Sequence, residues 1–596
     1  MARVPPGHPE RPPPPPVVPP PPPPPPPETR APARPSRGHG GGGGGPVFPP
    51  PAVGGFVPSS GGGGGMHAGV TGSPVSMSPP ESPGSRFFGS TTPRPPPPPP
   101  GCIWPQPQQA SPQTRRHSAA AQMDSSPQAG CVLSSGGGLN LSFLREDTPG
   151  LSAGSVRIHL NAAGSSLPPR PVVSCVQKAL QEEAEMGGYE FLKQPHRAAE
   201  LEEVYRLCGR VVGASGSDEI ALLDSATTAW SSAFWAWCTS EECVGLMRKV
   251  GRSPKTGKFG GRILASHCEY GSNAMQMLQL SRKVSDISGR DVEIVVEFLP
   301  SDSYGQVDLA ALRRTLEASA GRVRGPGGES GDSDSDYPVI LVALTHVPTN
   351  SGLVNPAEKV GEVVKSCGQP GLPFFLDACQ SVGQLEVNVQ LVQCDVLSAT
   401  GRKYLRAPRG TGFLYVRREF VQRLSPLYVD VKSARWSAQN DFELLPNARR
   451  FEQFESNIAA RLGLGCALRY LMGVGVDRVA RQILESSRQL RVLLENLGPE
   501  GVKLTDPGET LCGIVTFSVE PPVEASVLAS ALWERHRIAV SVSKCQATRV
   551  DMEQRGLTEV VRASVHYYNT SSELVGFCAA VQTEMARLKA AVTETA

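Results

Sequence analysis

The sequence predicts an α/β protein built on a mainly parallel sheet with helices on both faces. Three observations carry this expectation. Short runs that are apolar on both faces recur through the middle of the chain, with longer segments of helical apolar spacing between them. That alternation marks parallel strands joined by crossover helices. The last third changes to long helices followed by strands, the pattern of a smaller α+β part.

In chain order, strands are read at "RILAS" (262–266), "EIVVEFL" (293–299), "PVILVALTHV" (338–347), "PFFLDA" (373–378), "DVLSAT" (395–400) and "GFLYV" (412–416). Helices are read at "AALRRTLEASA" (310–320) and "PAEKVGEVVKSCG" (356–368). Long helices follow around 457–475 and 479–497, then strands at "CGIVTFSV" (512–519) and "VVRASVHYY" (560–568). Residues 321–338, polar and acidic, read as a surface loop whose Ser-Asp alternation is a phosphorylation pattern, as is "RRHS" at 115–118.

The 59 prolines and 63 glycines are concentrated before residue 145, in tracts such as "PPPPPPPPP" and "GGGGGG". Such a segment buries too little apolar surface to offset its ordering entropy. Residues 1–145 are therefore expected to be a disordered extension. Its proline tracts offer ligands to a proline-recognising domain, although a plain disordered arm is the commoner outcome. Residues 146–596 are expected to form the folded part. Its large subdomain is expected at about 190–430, and its small one at about 150–185 and 435–596.

A net charge of +2 gives no reason to expect nucleic acid or a membrane surface as partner. The fourteen cysteines form no CxxC pair and no metal-spaced cluster, so no metal is expected. Scattered cysteines in apolar surroundings suit reduced thiols and a cytoplasmic protein. No secretory signal is read at the N-terminus; a plastid or other organellar address stays open.

Three features carry chemistry. Asp377 closes an apolar strand, where open α/β sheets place ligands. "SATGRK" ends the next strand with Thr400, Gly401, Arg402 and Lys403, a set suited to a phosphate group. "LLDSATTAW" turns through Thr227 and Thr228 into a helix whose free N–H groups attract an anion, or it is simply a hydroxyl cap. Together they ask for a ligand with a phosphate, a ring nitrogen for Asp377 and an aldehyde for Lys403. Pyridoxal phosphate meets all three demands.

The segment from Asp377 through "LYV" (414–416) resembles the class V aminotransferase family of pyridoxal-phosphate enzymes, which includes cysteine desulfurases and isopenicillin N epimerase. The similarity runs over roughly residues 150–590. It implies the fold type I architecture of pyridoxal-phosphate transferases, a seven-stranded sheet, and a homodimer acting on a small amino acid. It also implies Lys403 as the Schiff-base lysine, Asp377 as the pyridine partner and Gln380 as partner of the ring hydroxyl. Thr227, Thr228, Thr400 and Arg402 match phosphate ligands, and Tyr270 matches the aromatic residue over the ring. In "RAPRGTG", Arg409 and Gly410 match a hairpin that reaches the neighbouring subunit's phosphate. Asn161 and Ala162 belong to an N-terminal substrate-side segment. Either Thr349 or Asn350 faces the ligand, and Arg562 matches the arginine that forks onto the substrate carboxylate.

The reaction is left open among aminotransferase, C–S lyase and epimerase chemistry. A cysteine desulfurase would use Cys545 as its persulfide nucleophile, but "KCQATRVD" departs from the usual loop. "FEQFESN" (451–457) departs likewise from the small-residue segment of many desulfurases. A catalytically silent scaffold with a proline-rich arm is the remaining alternative, and the joint presence of Lys403, Asp377, Gln380 and Arg562 argues against it.

Overall fold

The computed structural model describes residues 132–134, 138–152, 157–324 and 337–595. The proline and glycine tracts, "RRHS" and most of the acidic insertion lie outside the described residues. One boundary is corrected. Leu141–Glu146 form a helix within the stretch assigned to the extension, capped by the Asn140 side chain. Leu144 of that helix is fully buried, and Arg145 pairs with Glu573 and donates to the Tyr568 carbonyl. "LSFLRE" supplies the apolar anchors that the preceding tracts lack.

The central sheet has seven strands: β1 (Ile220–Leu223), β2 (Phe259–Ser266), β3 (Val292–Leu299), β4 (Val339–Thr345), β5 (Phe374–Asp377), β6 (Val396–Thr400) and β7 (Gly412–Val416). Their spatial order is β1-β7-β6-β5-β4-β2-β3. Strands β2 to β6 run parallel. The inner strands β4 and β5, rich in Val, Ile, Leu and Phe, are buried along their whole length, while the edge strand β3 is mostly half-buried. β7 runs antiparallel to both β6 and β1. The reason is local: residues 401–411 contain no crossover helix, so the chain can only double back.

In β5, Phe374, Phe375 and Leu376 are each fully buried. Burying such a side chain is worth about 1.5–3 kcal/mol, so Asp377 stands at the tip of a rigid support. Ser266, Thr345, Asp377 and Thr400 all close parallel strands at one edge of the sheet. That carboxyl edge is where open α/β sheets bind ligands.

The C-terminal part carries helices Ile458–Val474 and Val476–Glu495 and a second, four-stranded sheet. Its strands are β8 (Val502–Leu504), β9 (Ile514–Val519), β10 (Ser541–Lys544) and β11 (Glu559–Ser564), in the order β8-β9-β11-β10. The early segment Ile158–His159 pairs with Ile538–Ala539, and Asn161 bridges to Ser564, so both ends of the folded chain meet here. Among the described residues no single helix is long and apolar enough to cross a membrane.

Candidate active site

The carboxyl edge of the sheet opens into a cavity lined by Lys403, Asp377, Gln380, Tyr270, Thr349 and the turn Asp224–Thr227. Thr400, Arg402, Arg409 and Gly410 complete the wall. Ten of the residues singled out from sequence thus meet in one place, drawn from segments nearly two hundred positions apart.

The turn after β1 is built by Ser225, which the sequence reading passed over in favour of its neighbours. Its hydroxyl accepts from the Thr228 amide (3.1 Å) at the start of helix α1 (Ala226–Cys238). Thr228 is thereby turned to Ser225, and it lines a different cavity with Trp235 and Tyr428. Ala226 and Thr227 are left with the free N–H groups of a helix start, an anion site by geometry. Gly412 in β7 lets this turn come close, because a Cβ there would lie 2.6 Å from the Ser225 carbonyl carbon.

Lys403 is 9% exposed, and among the described residues no carboxylate pairs with it. Its Nζ instead lies 3.2 Å from the Sγ of Cys379, a cavity residue not singled out from the sequence. Asp377 is buried, one oxygen accepting from the Cys379 amide at 2.9 Å and the other from Asn273 Nδ2 at 2.8 Å. Burial raises its carboxyl above the ordinary range, while these two donors and the Lys403 charge pull it back. Gln380 donates weakly to the Ala163 carbonyl and to Thr349 Oγ1, both at 3.3 Å. Its Oε1 is buried with no hydrogen-bond partner among the described residues.

Thr349 and Asn350 are separated by the structure. Thr349 lines the cavity. Asn350 is buried away from it, accepting from Ser543 Oγ (2.7 Å) and donating to the Lys544 carbonyl (3.1 Å). Arg562, from β11, donates to the Thr349 hydroxyl (2.7 Å) and carbonyl (3.0 Å) and to Ser541 Oγ (3.0 Å). It is buried, and no carboxylate pairs with it among the described residues. Desolvation pushes its guanidinium down to about 10. A buried cation without an anion is a standing demand for one.

Asn161 and Ala162 stand behind the wall rather than in it. Ala162 and Ala163 donate to the Ser564 carbonyl and hydroxyl, and Arg402 donates to the Gly164 carbonyl. Cys545 is half-exposed on the turn Cys545–Ala547 and does not line the cavity. That turn packs on Gly271, where a Cβ would lie 2.5 Å from the Gln546 carbonyl oxygen. Gly271 opens helix α2 (Gly271–Ile287), and Tyr270 is its cap residue.

The cations of 402–409 have separate fates. Arg406 is buried and far from solvent, donating to the Leu167 carbonyl, Thr148 and Tyr567 and packed against three tyrosines. Arg402 and Arg409 stay at the cavity. The residues present therefore fit pyridoxal phosphate: a cationic helix start for phosphate, a free buried amine, a buried carboxylate and an orphaned amide oxygen.

Fold and site together define a class, the pyridoxal-phosphate transferase fold of type I. A solved cysteine desulfurase from Thermococcus onnurineus superposes with a TM-score of 0.59 at 24% identity, over 74% of this chain and 97% of that one. The cystine C–S lyase C-DES, solved with its product cysteine persulfide, gives 0.57 at 20% identity, over 73% and 99%. In sequence, a probable cysteine desulfurase of Pyrococcus abyssi is 27% identical over 325 residues, 54% of this chain and 71% of that protein. Residues 336–577 match the family model for class V aminotransferases.

Proposed function

We propose that this pyridoxal-phosphate-dependent enzyme works at the α carbon of a small amino acid, with carbon–sulfur cleavage as its favoured chemistry. The observation that carries the reading is Lys403, a buried amine in a cavity wall with no carboxylate partner among the described residues. Burying an uncompensated amine is costly and has no evident structural return here. Sulfur chemistry is supported by the names of the relatives, a desulfurase and a cystine C–S lyase.

When bound, the cofactor supplies an aldehyde that captures an amino group and a ring that withdraws electrons from the α carbon. The chain's own residues do the rest. The turn Ser225–Thr227, Thr400, Arg402 and Arg409 would hold the phosphate. Asp377 would keep a proton on the ring nitrogen, and Gln380 Oε1, unpartnered here, would accept from the ring hydroxyl. Arg562 binds the substrate carboxylate, its fork steadied by Thr349 and Ser541. Lys403 Nζ would take the proton from the α carbon and return one. A second copy would meet the exposed turn at Arg409–Gly410, and a reducing cytoplasm suits the described cysteines, all of them free.

A cysteine desulfurase using Cys545 is the second reading, favoured by the packing of its turn against the residue after Tyr270. Sulfide release by Cys545→Ala separates the two, persisting for a lyase and vanishing for a desulfurase. The first test is spectral. The purified chain with pyridoxal phosphate should show a visible band that Lys403→Ala abolishes, and a colourless wild type would sink both readings.

A further inference from the structure

Beneath Asp377 lies a second buried carboxylate, Glu269, that the functional reading does not use. It is 3% exposed and sits between the end of β2 and the start of α2. The Asn273 amide joins the two acids: its Nδ2 lies 2.9 Å from Glu269 Oε1 and 2.8 Å from Asp377 Oδ2. Thr345, at the end of β4, donates to Glu269 Oε1 at 2.7 Å, and Ser266 donates to Oε2 at 3.1 Å. Thr345 Oγ1 in turn accepts from the Tyr270 amide at 3.2 Å.

We propose that Glu269 is a positioning residue of the cofactor site, which, acting through Asn273, fixes the orientation of the Asp377 carboxylate and sets the charge beneath it. This deepens the functional reading and rests on it. The geometry leaves few alternatives. An amide nitrogen has two hydrogens, and Asn273 spends them on the two acids. Glu269 therefore dictates which end of the amide Asp377 meets. Without that acceptor the amide can rotate and present its oxygen to Asp377, acceptor against acceptor.

The charge matters as much as the orientation. Burial lifts Glu269 to about 7, opposed by its hydrogen bonds to Asn273 and Thr345 and reinforced by the Asp377 charge. The ionisable groups facing it are Asp377 from β5, with Lys403 and Cys379 beyond, and Cys268 beside it in its own loop, itself facing Asp551. Below neutrality Glu269 is an uncharged acid and Asp377 is the sole anion. Above neutrality two anions share one amide.

The experiment titrates pyridoxal phosphate into the full-length, cofactor-stripped chain on both sides of pH 7, reading the visible band. Wild type should show a change in band or affinity centred near Glu269's titration. Glu269→Gln keeps the oxygen that accepts from Asn273 and Thr345 and should bind the cofactor within about twofold of wild type, with that pH dependence gone. Glu269→Ala should bind at least tenfold more weakly. Asn273→Leu should do the same, and the double variant should lose no more than the worse single one, because both act on Asp377 through one amide. An unchanged pH profile in Glu269→Gln, or additive losses in the double variant, overturns the proposal. If wild type takes up no pyridoxal phosphate, the functional reading fails instead. The clamp is then judged on the cofactor-free protein, whose pH-dependent unfolding must change in Glu269→Gln; identical profiles overturn it.

Discussion

Replacing Glu269 by glutamine should make the cofactor-free protein less sensitive to alkali, by an amount the structure specifies. In the unfolded chain this carboxyl titrates near 4.5, whereas in the fold burial holds it at about 7. A group raised on folding contributes its stability below the unfolded value and loses it as pH rises through the folded one. At about 1.4 kcal/mol per unit, the difference between 4.5 and about 7 corresponds to about 3 kcal/mol. Wild type should therefore lose about 3 kcal/mol relative to Glu269→Gln between pH 4.5 and 7. Glutamine retains acceptors for Asn273 and Thr345, so the offset at the acid end should be small. Urea unfolding at a series of pH values, followed by tryptophan fluorescence, reads this directly. Parallel stability curves would refute the reasoning, since they would mean that Glu269 ionises alike in both states.

Three further outcomes follow from the site. Arg562→Lys should raise KM for an amino-acid substrate about tenfold or more while leaving the visible band intact, because an ammonium cannot fork onto a carboxylate; steady-state kinetics beside a spectrum decides it. Arg406→Met should lower stability by about 2–4 kcal/mol, read by chemical denaturation, because it strands Thr148, the Leu167 carbonyl and Tyr567 without their donor. Ser225→Ala should cost about 1 kcal/mol of stability through its lost cap. It should also weaken pyridoxal phosphate more than unphosphorylated pyridoxal, a contrast measured by parallel titrations.

The fold was legible because parallel strands announce themselves. Runs such as "PFFLDA" and "PVILVALTHV" are apolar on both faces, and no other setting tolerates them. Asp377, Thr400 and Lys403 were legible because they end such runs. Ser225 was passed over because hydroxyl residues crowd the turn and only geometry tells which one caps. Glu269, Asn273 and Cys379 were missed for a different reason. Glu269 and Asn273 lie four positions apart on either side of Tyr270, but a carboxylate shared through an amide leaves no spacing signature. The sequence assigned roles to Arg402 and Arg409 but gave no sign that Arg406 is the buried one of the three. Only Tyr470, from a distant helix, and Tyr567 and Tyr568, from the turn after β11, decide which guanidinium is buried.

The joining of residues 160–164 to Ser564 and Arg402 has a consequence for biosynthesis. Ala163 meets the Ser564 hydroxyl across 401 positions, and Gly164 meets Arg402 across 238. The strand carrying Arg562 leaves the ribosome after every strand of the large sheet, yet it supports a segment made before them. Loop closure over such distances comes late in folding. A growing chain can therefore assemble the edge that carries Lys403, Asp377 and the turn Ser225–Thr227 before Arg562 is made. On the proposed reading, a fragment stalled before residue 562 would hold the sheet edge but be without its substrate handle.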